Sequence, residues 1–254
     1  MNPFDLSGRS AVVTGGNGGI GLGIAEALAA AGAKVCIAGR NADKNASALE
    51  KLESAGASAI AVACDVNDSG SIQATIDATV NAFGGVNILV NNAGISALNV
   101  PEAMSDEEWQ SVIDTNLTSV FKFSRAAHSA LVASGGGKII NIGSMYSLFG
   151  FPLLPGYGAS KGGVVQLTKS LATAWAPVNI QVNAILPGWI KTDMTATLGD
   201  EEFAEFAAEI IARTPAGRFG EPEELGGTAV YLASAASDFV TGQSVAVCGG
   251  YSIR

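Results

Sequence analysis

A phenol and an ammonium stand four residues apart in Tyr157-Gly158-Ala159-Ser160-Lys161. On a helix, residues i and i+4 share a face, so the two polar heads converge on one region of space. Such a pair suits the movement of a proton. Free tyrosine has a pKa near 10, so only about 0.1% is phenolate at neutral pH. A neighbouring ammonium lowers the cost of the anion, and each unit of downward shift favours the phenolate by about 1.4 kcal/mol. The pair predicts a general acid/base, Tyr157, activated by Lys161. On spacing alone, Ser144, at the end of the run "IINIGS", is either a turn residue or a hydroxyl donor at the mouth of a sheet, and Asn116 in "DTNLTSVF" is either a buried, hydrogen-bonded amide or a functional one.

A second chemistry-bearing stretch is "VVTGGNGGIGLG", where an apolar strand pattern runs into a helical one. Glycines there let the backbone turn tightly and approach a pyrophosphate, while helix-terminal amides point at it. Two registers are open: Gly16, Gly18 and Gly21 fit Gly-x-Gly-x-x-Gly, and Gly15, Gly19 and Gly21 fit Gly-x-x-x-Gly-x-Gly. With 32 glycines in 254 residues a single match is weak, and a glycine-rich turn without a ligand is the plain alternative. Its place directly after the first predicted strand favours a nucleotide.

Thr14-Gly15-x-x-x-Gly19-x-Gly21, Asn91-Asn92-Ala93-Gly94, Asn116, Ser144, Tyr157-x-x-x-Lys161 and Pro187-Gly188 with Thr192 occur in this order and together resemble the short-chain dehydrogenase/reductase pattern over nearly the whole chain. The resemblance implies an NAD(P)-dependent oxidoreductase that moves a hydride between nicotinamide and a secondary alcohol or ketone, with Asn116, Ser144, Tyr157 and Lys161 as catalytic residues. It implies that Ser144 holds the substrate oxygen and that Asn116 bends its helix and retains a water linking Lys161 to solvent. Gly15, Asn17, Gly19, Ile20 and Gly21 then line the pyrophosphate, and Asp65 with Val66 meets the adenine. Asn92, Ala93 and Gly94 border the adenosine ribose, Tyr157 and Lys161 reach the nicotinamide ribose, and Ile190 and Thr192, after Pro187-Gly188, meet the carboxamide.

The second strand chooses between cofactors, because an acid at its end bonds the ribose hydroxyls of NAD and repels a 2′-phosphate. Here Gly39-Arg40-Asn41 stands there, with no acid and a guanidinium suited to phosphate. Arg40 points to NADP, with NAD as the alternative. Against it, Gly18 replaces the basic residue that some NADP-dependent relatives carry in the glycine loop.

The elements that must position these residues alternate. Seven β-branched runs ("SAVVTG", "AKVCIAG", "ASAIAVACDV", "VNILVNNAG", "KIINIGS", "NIQVNAILPG" and "QSVAVCGG") are separated by helical patterns at about 20–31, 42–55, 69–83, 106–133, 157–175 and 222–235. This predicts an α/β Rossmann fold, one domain over 1–254, with a doubly wound, seven-stranded parallel sheet and helices on both faces. Ser105 and Glu108 form a capping-box pattern at the head of the long helix, and Gly32, Gly56 and Gly84 stand where left-handed residues close helices. The alternation fails from about 189 to 221, where "DEEFAEFAAEIIAR" predicts an inserted substrate lid.

A net charge of −9 disfavours nucleic acid or an anionic membrane as partner. No apolar run approaches the roughly 20 residues that span a bilayer, and "MNPFDLSGRS" has no apolar signal core, so a soluble, cytoplasmic protein is expected. Cys36, Cys64 and Cys248 lie in strand-like runs without metal-ligand spacing, and His128 is the sole histidine, so neither a metal site nor a Ser-His-Asp triad is expected.

The substrate pocket is expected from Gly94 to Leu98, Met145 to Leu154, and Trp189 into the lid with Phe203, Phe206 and Ile210; the specific contacts are Ser96, Ser144, Met145, Phe151, Tyr157 and Trp189. Lys191 and Arg213 are the nearby basic residues, read first as lid surface charges. The stretches "GGYSIR" and "WAPVNIQVNAILPGWIKTDM" are similar to gluconate and deoxygluconate dehydrogenases, and the general plan resembles 3-oxoacyl reductases equally. A catalytically silent NAD(P)-binding sensor is the alternative of another class, disfavoured because it need not keep Ser144, Tyr157 and Lys161 together. The small and apolar outer faces of the helices near 106–133 and 157–175 predict a homotetramer.

Overall fold

The computed structural model describes residues 2–254. Seven strands, β1 (Ser10–Thr14), β2 (Lys34–Gly39), β3 (Ala59–Ala63), β4 (Ile88–Asn91), β5 (Gly137–Ile142), β6 (Ile180–Pro187) and β7 (Ser244–Val247), form one sheet in the order β3-β2-β1-β4-β5-β6-β7. Every pairing is parallel. The helices are α1 (Gly19–Ala30), α2 (Ala42–Ser54), α3 (Ser69–Phe83), α4 (Asp106–Ile113), α5 (Ser119–Ala133), α6 (Pro155–Trp175), α7 (Ala204–Arg213) and α8 (Gly226–Ala233).

The near-continuous apolar strands follow from burial on both faces. Successive residues point to opposite sides. Val13 joins Ile37, Ile24 and Leu28 of α1, Leu52 of α2 and Leu232 of α8 in one cluster. Val12 joins Cys36, Ile76 of α3, Phe123 and Leu131 of α5 and Leu171 of α6 in the other. This is the doubly wound arrangement that the alternating sequence predicts. Strand order reverses at β1, which lies between β2 and β4, so a crevice opens beyond the carboxyl ends of these strands. Gly15 follows β1 and Asn92 follows β4 at that point.

The capping box forms as expected: Glu108 N donates to Ser105 Oγ at 3.1 Å and Ser105 N to Glu108 Oε2 at 2.9 Å. Gly32, Gly56 and Gly84 take φ of +101°, +84° and +88°. The helix predicted as continuous over 106–133 is instead interrupted by a π-helical stretch, Asp114–Thr118, between α4 and α5. Asn116 lies in it with its side chain drawn onto the backbone of Ile95. The helix predicted over 222–235 starts as a 3-10 turn, Pro222–Leu225, because a proline stands at its head, and α8 follows. The segment predicted as a lid is pinned at its base by an isolated parallel bridge between Ile190 and Gly220 and holds two 3-10 turns and α7.

Candidate active site

Pro155 at the first helical position, where a missing N–H is harmless, starts α6 two residues before the tyrosine. Tyr157 is then in the first turn and Lys161 one turn later. The Lys161 ammonium lies 5.7 Å from the centre of the Tyr157 ring. Its Nζ donates to Ile142 O, at the end of β5, at 2.8 Å. Lys161 is buried, and loss of solvation pushes its pKa down to about 8. Burial also pushes the Tyr157 phenol up, opposed by hydrogen bonding to the Ser144 hydroxyl. In the chain alone desolvation is the main influence on the phenol, and the Lys161 head is turned to the Ile142 carbonyl.

Ser144 follows β5 and caps the 3-10 turn Met145–Ser147, its Oγ accepting from Tyr146 N at 3.1 Å. Ser147 fastens this turn to α6: its Oγ accepts from Ser144 N at 3.1 Å and donates to Lys161 O at 2.7 Å. Strand end and helix thus hold Ser144 against Tyr157. Asn116 is fully buried. Its Oδ1 accepts from Ile95 N at 2.8 Å, and its Nδ2 donates to Ile95 O at 2.8 Å and Ser160 Oγ at 3.2 Å. Both amide protons are therefore engaged with protein. The side chain serves as a clamp between the loop after β4 and α6, within the π-helical stretch.

At the phosphate end the two glycine registers separate. Gly15 and Gly19 have φ of +62° and +48°, which favour glycine. A Cβ on Gly21 would lie 2.2 Å from Gly15 O and 2.4 Å from Asn92 Nδ2. Gly18, by contrast, is extended and would meet nothing within 4 Å. The backbone thus calls for glycine at Gly15, Gly19 and Gly21, and of the other register also at Gly16, whose Cβ would stand 2.9 Å from Val13 O, but not at Gly18. Asn92 holds the loop: Nδ2 donates to Thr14 O at 2.9 Å and Gly15 O at 3.1 Å, while Asn92 N and Ala93 N donate to Thr14 Oγ1 at 2.9 and 3.1 Å. The N-terminus of α1 has no side-chain cap, so its first amides remain for an anion.

Asn17 Nδ2 donates to Asn45 Oδ1 at 2.6 Å, and buried Asn45 donates to Gly39 O at 2.8 Å. A Cβ on Gly39 would meet Asn17 Nδ2 at 2.4 Å and Asn45 Oδ1 at 2.7 Å. An acid cannot be accommodated at that position without displacing this pair. Arg40, next in sequence, is exposed, as is Asp65, whose Oδ1 accepts from Asn67 N at 3.0 Å, while Val66 is buried beside it. Across the crevice Thr192 touches the loop, its Cγ2 3.1 Å from where a Gly19 Cβ would stand. A Cβ on Gly94 would lie 3.3 Å from Asn116 Oδ1 and 3.5 Å from Lys161 Nζ, so glycine keeps that wall open. Pro187 ends β6, Gly188 packs on Cys248, and Ile190 is buried at the base of the insertion. The bare loop, uncapped helix and glycine-lined wall fit a dinucleotide.

The substrate end is an aromatic wall. Tyr146 meets Tyr157, Phe151 and Trp189 at ring separations of 6.4, 5.5 and 6.0 Å. Phe206 of α7 meets Phe151 at 5.7 Å and Trp189 at 5.9 Å. The structure thus brings Phe151, Trp189, Ser144 and Tyr157 together, and Ser96 is half-buried on the loop after β4. Met145 departs from its predicted part: it is buried against Ala184, Leu186 and Tyr251 as core. Tyr146 and Ser147 fall inside the predicted segment Met145 to Leu154 but are not singled out there, and Asn45 escapes the sequence reading. The position of Tyr146 two residues after Ser144 was the available signal for one of them; nothing local marks Asn45. Among the described residues no cluster of three His, Cys, Asp or Glu side chains has metal-binding geometry.

A family profile described as enoyl-(acyl carrier protein) reductase matches residues 15–252. The chain is 42% identical over 255 residues to 2-dehydro-3-deoxy-D-gluconate 5-dehydrogenase of Escherichia coli, covering 100% of this chain and 99% of that one. It is 40% identical to a 3-oxoacyl-(acyl-carrier-protein) reductase of Vibrio cholerae, covering 97% and 98%. Among solved structures it superposes with a TM-score of 0.93 on a gluconate 5-dehydrogenase of Burkholderia cenocepacia in complex with NADP and tartrate, at 39% identity and 100% and 98% coverage.

Proposed function

From the premise that this chain belongs to the short-chain dehydrogenase/reductase family and is an NAD(P)-dependent oxidoreductase of alcohols and ketones, we propose that it transfers a hydride between NADP and a secondary carbinol of a gluconate-type sugar acid. The observation that carries this is the convergence of Tyr157, Lys161, Ser144 and Asn116 beside a glycine loop shaped for pyrophosphate. Bound nicotinamide supplies or accepts the hydride. Tyr157 takes the carbinol proton or returns it to the carbonyl oxygen, and Ser144, beside the phenol, orients that oxygen. A cationic Lys161 favours the phenolate as it forms. Asn116 positions Ile95 and Ser160 around them.

Gly15, Asn17, Gly19, Ile20 and Gly21 receive the pyrophosphate in this reading. Asp65 and Val66 receive the adenine, Asn92 to Gly94 the ribose, and Ile190 with Thr192, after Pro187-Gly188, the carboxamide. Three facts favour NADP over NAD: the exposed Arg40, glycine in place of an acid at Gly39, and the NADP in the structure of the Burkholderia relative. The aromatic wall, together with 40% identity to a 3-oxoacyl reductase, favours an acyl ketone as the second reading. Ketones, sugars and sugar acids offered with each nicotinamide cofactor, read by absorbance, separate the two. Tyr157→Phe keeps the ring and removes the proton, so turnover should fall by about 10²- to 10⁴-fold with cofactor affinity nearly unchanged. Near-normal turnover in that variant would sink the assignment.

We treat residues 1–254 as one domain whose segment from about 189 to 221 is the substrate lid, and we place the protein in the cytoplasm as a homotetramer. Among the described residues no helix is long and apolar enough to cross a membrane. Trp109 of α4, Phe121 and Val132 of α5, Phe239 and Ile253 expose apolar surface, and alternate residues of the edge strand β7 are exposed. Self-association covers such surface. Light scattering should give about four chain masses; a monomer mass would overturn the assembly.

A further inference from the structure

Most cations at the substrate end are already engaged. Lys191 pairs with Glu221, the Arg218 fork bonds both oxygens of Glu224 at 2.7 Å, and Arg254 donates to Ala212 O at 2.6 Å. Arg213, in the last turn of α7, differs. It is half-buried, its guanidinium carbon 4.2 Å from the Tyr251 ring centre and 4.9 Å from that of Phe149. Among the described residues no carboxylate stands within ion-pair distance of it. Burial chiefly, and after it the Tyr251 and Tyr157 phenols, oppose ionisation of Tyr146, and the Arg213 guanidinium eases it, so the Tyr146 hydroxyl is within its field. The Tyr146 ring in turn lies 6.4 Å from that of Tyr157. An arginine stacked on aromatic faces is weakly hydrated, held in orientation, and keeps a planar pair of N–H donors for a carboxylate. In a chain of net charge −9, an anionic substrate needs such a local cation.

We infer that Arg213 is the carboxylate anchor of the substrate pocket: it binds the acid group of a substrate that lies along Tyr146 and presents its carbinol to Tyr157. Because Tyr146 intervenes, the site selects acids whose carboxylate is remote from the reacting carbon. This rests on the sugar-acid reading above and turns Arg213 from a surface charge into a specificity-determining residue.

The test reads binding without turnover. D-gluconate and its uncharged counterpart D-glucitol are titrated calorimetrically into protein saturated with NADPH, which cannot oxidise either alcohol. Unmodified protein should bind D-gluconate at least about tenfold tighter than D-glucitol, the scale of one charge-assisted contact. Arg213→Met should remove that preference, weakening D-gluconate about tenfold or more and leaving D-glucitol within about threefold; Arg213→Lys, which keeps the charge and loses the fork, should fall between. Equal affinity for the two ligands in unmodified protein overturns the proposal, as does a preference retained by Arg213→Met. Weakening of both ligands and of NADPH alike overturns it too, making Arg213 a packing residue for the chain end. Should unmodified protein bind neither sugar, the anchor fails. The ketone panel and Tyr157→Phe then decide separately whether hydride transfer stands.

Discussion

The two ends of the crevice are built on opposite physical plans. Around the glycine loop, backbone and amide groups lock one another: Asn92 ties β4 to the loop, and Asn17 and Asn45 close over Gly39. At the substrate end, the segment beyond β6 is tied by the bridge between Ile190 and Gly220, by Ala216 N donating to Gly249 O and by Arg254 on Ala212 O, and elsewhere it rests on aromatic edges, the stacked Arg213 and exposed ion pairs. The difference teaches where shape is fixed and where it is left adjustable. A motif residue such as Asn92 gives the cofactor end its form, since its amide protons are taken by the loop itself. Under the proposed function this segment is the cover and carries the side chains that distinguish substrates; its residues are mostly exposed, so fewer packed contacts oppose its movement.

Two glycine substitutions set the ends against each other with the largest effect. Gly21→Ala drives a Cβ into the backbone oxygen of Gly15 and into Asn92 Nδ2, a side-chain tip held in place by its bonds to Thr14 O and Gly15 O. Overpacking of this kind costs about 1–3 kcal/mol, and NADP binding should be lost with it. Gly199→Ala, in the cover, meets nothing within 4 Å and has no positive φ. It should be neutral or stabilising by up to about 1 kcal/mol through the unfolded chain. Denaturant unfolding of both proteins checks the pair; equal losses would erase the distinction.

Arg40→Asp comes next and sharpens the cofactor side alone. It exchanges a charge-assisted phosphate contact for repulsion, so NADP affinity should fall about 10- to 150-fold while NAD affinity changes little, by the roughly 1.5–3 kcal/mol of a hydrogen bond to a charged group. Direct titration with each nucleotide measures this. Tighter binding of NAD than NADP by the unmodified protein would remove the NADP assignment.

The same contrast explains what the sequence disclosed. Strand runs and the ordered motifs were readable because they depend on local period and on glycine or proline at fixed offsets, as in Gly15-Gly19-Gly21 and at the head of α6. The choice between glycine registers was not, since it depends on the positive φ of Gly15 and Gly19 and on Asn92, distant in sequence, standing 2.9 Å from where a Gly15 Cβ would be. The helix predicted over 106–133 was correct in extent yet hid the π-helical stretch Asp114–Thr118, because the capture of Ile95 by Asn116 is a tertiary event. Arg213 read as a surface charge for the same reason: the Phe149 and Tyr251 rings that flank it come from other parts of the chain.

Lys161 yields a smaller, pH-dependent effect. Burial lowers its folded pKa from 10.5 to about 8. Between those values the unfolded chain holds a proton that the folded chain has released, so folding stability contributed by this group rises with pH. Lys161→Met removes that contribution. The stability of the unmodified protein relative to Lys161→Met should therefore rise as pH goes from about 8 towards 10.5, with a slope of at most one proton. Unfolding curves across that range provide the check, and a gap independent of pH would place the Lys161 head in water.

The smallest effect concerns the tie between the ends. Lys44 of α2 reaches Asp193, at the start of the cover, at 2.6 Å, with side chains 54% and 89% exposed. The ammonium holds the Asp193 carboxyl below the usual carboxylate range. Water screens so open a pair, and ordering a long lysine offsets part of the attraction, leaving about 0–1 kcal/mol. Lys44→Ala should therefore lower stability by less than about 1 kcal/mol, and the loss should vanish near 1 M salt, where the Debye length is about 3 Å. Unfolding at low and high salt measures both. A larger loss, or one that persists in salt, would mean that the cover is fixed to the cofactor end and does not move independently of it.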